Sequence, residues 1–488
     1  MISLAVFLPI VAGLVLLALR PDSKQFREWY VMGVTAVTSL IAFFCLLHPG
    51  ENPTIAFMLM QDMPIAFHID GLGGVFTALV AFLWPLAELY AFEYMEHEGG
   101  ENHFFALYTI TYGVTVGIAT AANIMTMYIF YEFLSLVTIP LVMHGTSRES
   151  IKAGSKYMMY SFFGAAIAFV GVMIIIAFGN GGTFMMNGVL SEAFAAKHPL
   201  LLRLGYLSAF LGFGVKAAVF PLHAWLPVAS VAPTPVTALL HAVAVVKSGA
   251  FAIMRVTFYS FGAHLLRGTW AQHIAIALAI CTIVYGSTMA VREHHFKRRL
   301  AYSTVSNLSY IIMATCLMTA QGLPAALSHM MFHAVMKITL FYCAGAVLVR
   351  THRTQIESLR GLGHAMPFTC GVYTIAALAL MGTPLLPGFA SKWMIGYAAV
   401  ADGYFMGYIG VAAILISAVL TAIYLMSVAF FMWFRPLEDT TGITEGLKYD
   451  PTWKMKLPLL VITIAIVLCG VFSNNIISVL SGVAAGVI

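Results

Sequence analysis

NIMTMYIFYEFLSLVTIPLVM, residues 123–143, is long enough to cross a bilayer and carries a single charge, Glu132, at its middle. A crossing helix needs about 20 apolar residues. A charge at the bilayer centre costs about 2.5–3.5 kcal/mol on insertion scales. Four further apolar stretches hold one lysine each: Lys216, Lys247, Lys337 and Lys392. Five such charges in one chain point to the movement of charge through a membrane.

Composition agrees with a membrane chain. The 488 residues are 61% hydrophobic and 9% charged, whereas charged residues make up about a quarter of a soluble domain. The expectation is an all-α polytopic membrane protein with fourteen transmembrane spans, at 2–19, 29–47, 72–94, 103–121, 123–143, 156–178, 204–227, 234–254, 271–291, 300–320, 322–349, 367–400, 406–433 and 457–484. No basic region precedes residues 2–19 and no small-residue cleavage site follows Arg20, so no cleaved signal peptide is expected. The six cysteines all lie in apolar segments without CxxC spacing and read as buried small hydrophobes.

The basic residues set the orientation. Loops after spans 1, 5, 9, 11 and 13 carry 17 of the 25 Lys and Arg, and the opposite face carries four, Lys197, Arg203, Arg255 and Arg267. By the positive-inside rule the first set is cytoplasmic. Both termini then lie outside, on the periplasmic side of an inner (cytoplasmic) membrane.

Two spans are irregular. Span 7 contains GFGVKAAVFPLHAWLP, with Pro221 soon after Lys216. Span 12 is too long for one straight crossing and is interrupted by GTPLLPG, with Pro384 and Pro387 just before Lys392. Proline removes a backbone donor and clashes with the preceding turn. Broken backbone at membrane depth survives only inside protein or beside a wet cavity. Pro-interrupted spans in corresponding places of two halves mark the working site of a transporter. Five spans separate the breaks, an odd offset that inverts the second copy. This predicts peripheral spans 1–3 (residues 1–100), a first five-helix repeat (101–258), an inverted second repeat (259–434), and a cytoplasmic loop with span 14 (435–488).

Glu132 reads as a static ion pair locking two helices, or as a titratable carboxylate whose natural partner is Lys216. His241 and Lys247 lie about 120° apart on an ideal helix, so they would line adjacent parts of one polar track. His329, His333 and Lys337 recur at i, i+4 and i+8, which stacks them on one face. Each histidine alone could be a packing residue, but three polar groups on one stripe suit proton hopping through bound water. Lys392 would end the track. His223 could cap a helix end or join the relay, and Glu88 could face headgroups or a partner.

Other chemistries have no support in the chain. There is no GxxxxGK[ST] and no GxGxxG. No cysteine set suits an iron–sulfur cluster, and no paired histidines suit stacked haems. No cofactor, metal, catalytic residue or nucleic-acid partner is expected, and no redox centre of the chain's own. The energy must come from an ion gradient or a partner protein.

The motifs FPLHAWLP, APTPVTALLHA, KRRLAYSTVSNLSY, SHMMFHAVMKITLF and PGFASKW, with the central Glu of span 5, resemble the antiporter-like proton-translocating subunits. That family occurs in respiratory complex I, in Mrp-type cation/proton antiporters and in membrane-bound hydrogenases. The resemblance covers spans 3–14. It implies fourteen helices, inverted repeats and breaks in spans 7 and 12. It also implies roles: Glu132 as the span-5 carboxylate, Lys216 as its span-7 partner, His241 and Lys247 as span-8 relays, His333 and Lys337 on span 11, and Lys392 as the terminal group. The short stretch after span 14 has no room for the long lateral helix of the largest complex I member, and the pattern is similar to the D subunit of Mrp antiporters. The implied function is a proton-translocating module among other membrane subunits of a redox-driven or Mrp-type complex, in the bilayer, with protons as cargo and Na+ as an open second ion. The alternative is a stand-alone Na+/H+ or other solute/proton transporter, although no aspartate stands within a span to build a Na+ cage. A third reading is a scaffold whose charges are static ion pairs.

Overall fold

The computed structural model describes residues 1–50, 52–60, 63–401, 403–436 and 449–486. In hydrocarbon every backbone N–H and C=O must find its partner within the chain, and helices do this segment by segment. The elements are α1 (Ile2–Leu19), α2 (Lys24–Leu47), β1 (Thr54–Met60), β2 (Met63–Phe67), α3 (Gly71–Met95), α4 (Glu101–Ala119), α5 (Ile124–Val142) and α6 (Arg148–Phe178). Next come α7 (Glu192–Lys197), α8 (Pro199–Lys216), α9 (Trp225–Ala229), α10 (Thr234–Ala238), α11 (Val245–Arg255), α12 (Ala263–Leu266) and α13 (Trp270–Arg292). The chain finishes with α14 (Phe296–Cys316), α15 (Gly322–Thr351), α16 (Leu362–Ala365), α17 (Pro367–Met381), α18 (Pro387–Ala401), α19 (Phe405–Phe434), α20 (Trp453–Val471) and α21 (Ser473–Ala484). Among the described residues, ten helices are long and apolar enough to cross a membrane.

Helix starts are set locally. Ser23, Asp70, Asn123 and Ser147 cap α2, α3, α5 and α6, each side-chain oxygen accepting a backbone N–H three residues on. Helix contacts are set by small residues. A Cβ on Gly171 of α6 would stand 2.7 Å from both the Ala209 Cβ and the Gly205 carbonyl of α8, so only glycine permits that approach. The interior belongs to α15 and to the Thr234–Phe261 stretch, whose residues are buried throughout. Around α15 pack α14, α17, α18 and α20.

Several expectations need correction. The chain is not wholly helical: β1 and β2 form an antiparallel hairpin. The hairpin is seated on the start of α5 through Asn123 Nδ2, which donates to the Pro64 carbonyl (2.9 Å), and through Phe67, packed against Phe130. Span 8 does not stop at 254. Leu239–Val243 and Val256–Phe261 are π-helical turns that carry the helix to Phe261. Arg255 is therefore a buried helix residue paired with Asp70, not a loop cation. Lys297 and Arg299 likewise lie buried in the first turns of α14, where Lys297 Nζ reaches the Ala232 carbonyl (2.9 Å) and Arg299 Nη1 the Tyr424 carbonyl (3.1 Å). α14 thus begins before its apolar run, with these cations satisfied by carbonyls of neighbouring segments. All six cysteines are free, but Cys281 on α13 is exposed rather than buried. Lys448, counted with the cytoplasmic loops, lies outside the described residues.

Candidate functional site

The two proline breaks shape the site. α8 ends at Lys216, the chain turns through Ala218 (φ 56°), and helix resumes at Trp225. A broken end leaves carbonyls without intrahelical donors. Here the Tyr131 hydroxyl donates to the Phe213 carbonyl (3.1 Å), the Val219 N–H to Gly214 (3.0 Å) and Trp225 Nε1–H to Val215 (2.8 Å). Gly249 lets this turn sit on α11, because a Cβ there would stand 2.5 Å from Ala217 N and 2.9 Å from Lys216 C. The backbone carrying Lys216 is thus set against the helix that carries Lys247. At the second break α17 stops at Met381, Gly382 (φ 102°) and Leu385 (φ 71°) turn the chain, and α18 starts at Pro387. Lys392 Nζ donates back across this gap to the Leu380 (2.8 Å) and Met381 (2.9 Å) carbonyls, a cation at a helix C-terminus. A cavity of about 510 Å³ lined by Met381, Gly382, Lys392, Trp393 and Tyr397 opens beside it.

Lys216 is buried, but its amine does not touch Glu132. It donates to the Tyr131 carbonyl and lies 3.3 Å from the centre of the Tyr131 ring. Among the described residues Glu132 has no ion pair, and its Oε1 is buried without a hydrogen-bond partner. The expected direct pair is therefore open: the Tyr131 carbonyl and ring face, one residue from Glu132, hold the lysine instead.

Lys247 and His333 are in direct contact, Nζ to Nδ1 at 2.6 Å. Ammonium and imidazolium groups are both pure donors, so this bond exists only while one of the two has given up a proton. His333 lies 5.7 Å, ring centre to ring centre, from His329, whose Nδ1 meets Ser391 Oγ at 2.9 Å, next in sequence to Lys392. Tyr310 joins the group, its ring 5.3 Å from that of His329 and 5.7 Å from Lys392 Nζ. The outer nitrogens (Nε2) of His329 and His333 are buried without a partner.

The other sequence candidates are less connected. Lys337 Nζ donates to Ser303 Oγ (2.7 Å), which bonds the Tyr424 hydroxyl (2.7 Å), so it branches toward α14 and α19. His241 sits in the first π turn, against Phe341 at 4.8 Å, with neither ring nitrogen hydrogen-bonded. His223 lies in the turn between α8 and α9, edge-on to Tyr285 at 4.6 Å, and caps no helix. Glu88 is wholly buried among hydroxyls of α2 and α4 and does not face headgroups. Sequence reasoning missed Tyr131, Ser303, Tyr310 and Ser391. Ser303, Tyr310 and Ser391 stand inside the quoted motifs and Tyr131 inside the stretch around Glu132, so each could have been flagged as a residue. The Tyr131 carbonyl has no sequence signature.

Residues 121–421 match the family model described as NADH:quinone oxidoreductase/Mrp antiporter, TM, and residues 58–105 match the N-terminus of complex I chain 5. The chain is 30% identical over 423 residues to NADH-quinone oxidoreductase subunit N of Desulforudis audaxviator (strain MP104C), across 84% of this chain and 82% of that one. It is 29% identical over 400 residues to a probable K(+)/H(+) antiporter subunit of Rhizobium meliloti (strain 1021), across 81% of this chain but 39% of that longer protein. A chain of the membrane-bound sulfane sulfur reductase, an archaeal respiratory membrane complex, superposes with a TM-score of 0.85 at 25% identity, over 100% of this chain and 97% of its own. With the family match spanning well over half of its length, the chain belongs to the NADH:quinone oxidoreductase/Mrp antiporter family of multi-pass membrane subunits.

Proposed function

We propose that this chain is the proton-moving membrane subunit of a multisubunit complex whose partner subunits supply the driving energy. The observation that carries the reading is the 2.6 Å Lys247–His333 bond, a proton shared between two helices inside a fully buried interior. The route runs from Glu132 and Lys216 through Lys247, His333 and His329 to Ser391 and Lys392. Lys216 alternates between the Tyr131 carbonyl and the Glu132 carboxylate, shedding its proton as Glu132 withdraws. His241 and Lys337 flank the route, and water bridges the gaps between its members. The route lies in fourteen crossings arranged as inverted repeats 101–258 and 259–434, with both termini outside.

Proton uptake by vesicles holding the whole complex tests this. Glu132→Gln and Lys216→Ala leave the complex assembled and abolish transport; in Glu132→Gln the lysine left without its carboxylate can shed its proton rather than stay buried as a charge. Pumping by Glu132→Gln at the normal rate would remove Glu132 from the route. The likeness to a K(+)/H(+) antiporter subunit favours one other reading, exchange of Na+ or K+ for protons. Cation-driven proton movement by the purified chain alone would establish it.

A further inference from the structure

A second membrane carboxyl lies apart from this row. Glu88 on α3 is fully buried and has no ion pair among the described residues. Its oxygens meet only hydroxyls: Thr35 Oγ1 of α2 donates to Oε2, and Thr109 Oγ1 of α4 stands 3.3 Å from Oε1. A hydroxyl has one hydrogen to give. The Phe105 carbonyl, which can only accept, lies closer to Thr109 Oγ1, at 2.7 Å, and takes it. The contact with Oε1 is then a hydrogen bond only if its hydrogen comes from Glu88. The surroundings thus fit a carboxylic acid better than a carboxylate, and a carboxylate buried without a cation carries a heavy desolvation penalty.

Near Glu88 stand two further hydroxyls. The hydroxyls of Tyr108 on α4 and Tyr342 on α15 are buried and interact with each other, and both lie within the electrostatic reach of Glu88. The Tyr342 ring is fixed by stacking on Tyr90 (3.8 Å, 7°), whose hydroxyl donates to the Tyr342 carbonyl at 2.8 Å. Packing therefore holds the ring, with its hydroxyl set toward that of Tyr108. Tyr342 belongs to the helix that carries His329, His333 and Lys337.

We propose that Glu88 is a second proton-carrying carboxyl, exchanging its proton through the Tyr108 and Tyr342 hydroxyls with the polar row of α15. The exchange rests on the proton-translocating reading above. In each transfer a phenol oxygen takes up one proton and passes its own hydroxyl proton onward, leaving Glu88 a carboxylate until the reverse path refills it.

The test uses the whole complex in vesicles. Infrared difference spectra during turnover should contain the C=O stretch of a protonated carboxyl, which Glu88→Asp shifts and Glu88→Gln removes. Glu88→Gln keeps the shape and accepts from Thr35, so a merely structural role survives it. Proton transport by this variant should nevertheless fall by about tenfold or more, and Tyr108→Phe and Tyr342→Phe should slow transport without removing the band from resting enzyme. Normal transport by Glu88→Gln, or no band that responds to Glu88→Asp, overturns the proposal. A wild-type complex that moves no protons overturns the broader function instead, and the band then still reports whether Glu88 carries a proton.

Discussion

Lys247 and His333 behave as one unit because neither can hold the 2.6 Å bond without the other. Lys247→Met and His333→Gln should each depress proton transport severely. The double variant should be no slower than the worse single one, since either change removes the same shared proton. Multiplying losses would place the two groups on separate routes. Lys337 depends on a different partner. Ser303→Ala removes the acceptor of its amine and one link to the Tyr424 hydroxyl. Thermal unfolding of the purified complex should register a loss of about 1–2 kcal/mol, and an unchanged midpoint would mean that Lys337 finds another acceptor.

At the scale of elements, the two breaks satisfy their ends by different means. Backbone and aromatic donors close the end of α8, whereas the side chain of Lys392 serves the last carbonyls of α17. Lys392→Met should therefore cost stability as well as transport, by about 1–3 kcal/mol for carbonyls left unpaired. Lys216→Met should cost less, because Lys216 leaves only the Tyr131 carbonyl without its amine. Equal destabilisation in a denaturant titration would contradict this division. The seating of the first break depends on Gly249, where a side chain would collide with Ala217 and Lys216 backbone. Gly249→Leu should part α8 from α11, lowering stability by about 1–3 kcal/mol and stopping transport. Retained proton uptake would mean that the closeness of Lys216 to α11 is dispensable.

For the whole molecule, α3 is pinned to the end of the buried Thr234–Phe261 helix by Asp70, whose carboxylate faces the guanidinium of Arg255, with Nη2 to Oδ1 at 2.5 Å. Asp70→Asn strands a buried cation and should destabilise the chain by about 3 kcal/mol. A melting point equal to wild type would show that the pin is not needed. Orientation is testable with an impermeant thiol reagent. His294 is exposed in the turn between α13 and α14, so His294→Cys should be labelled only from the cytoplasm. A cysteine after Val487, outside the described residues, should be labelled only from outside. The reverse pattern would invert the direction of the route.

The membrane character, most helix positions and both breaks were legible in the chain, because each is decided locally. Hydrocarbon selects long apolar runs by composition, and Pro221 and Pro384 with the residues around them mark the two breaks, although Pro9, Pro85, Pro140 and Pro458 stand inside continuous helices. The intramembrane charges were legible for the same reason, since a lysine in an apolar run is conspicuous without any neighbour. The tertiary structure decided which groups meet. Lys247 finds His333 across 86 positions, Lys337 finds Ser303 rather than a histidine, and Lys216 rests on the Tyr131 carbonyl while Glu132 stays apart. The hairpin of β1 and β2 and the two π turns also escaped the sequence. A π turn inserts one residue and rotates every side chain beyond it. Side-chain partners depend on that register and on how helices cross, and both are set by packing between segments far apart in the chain.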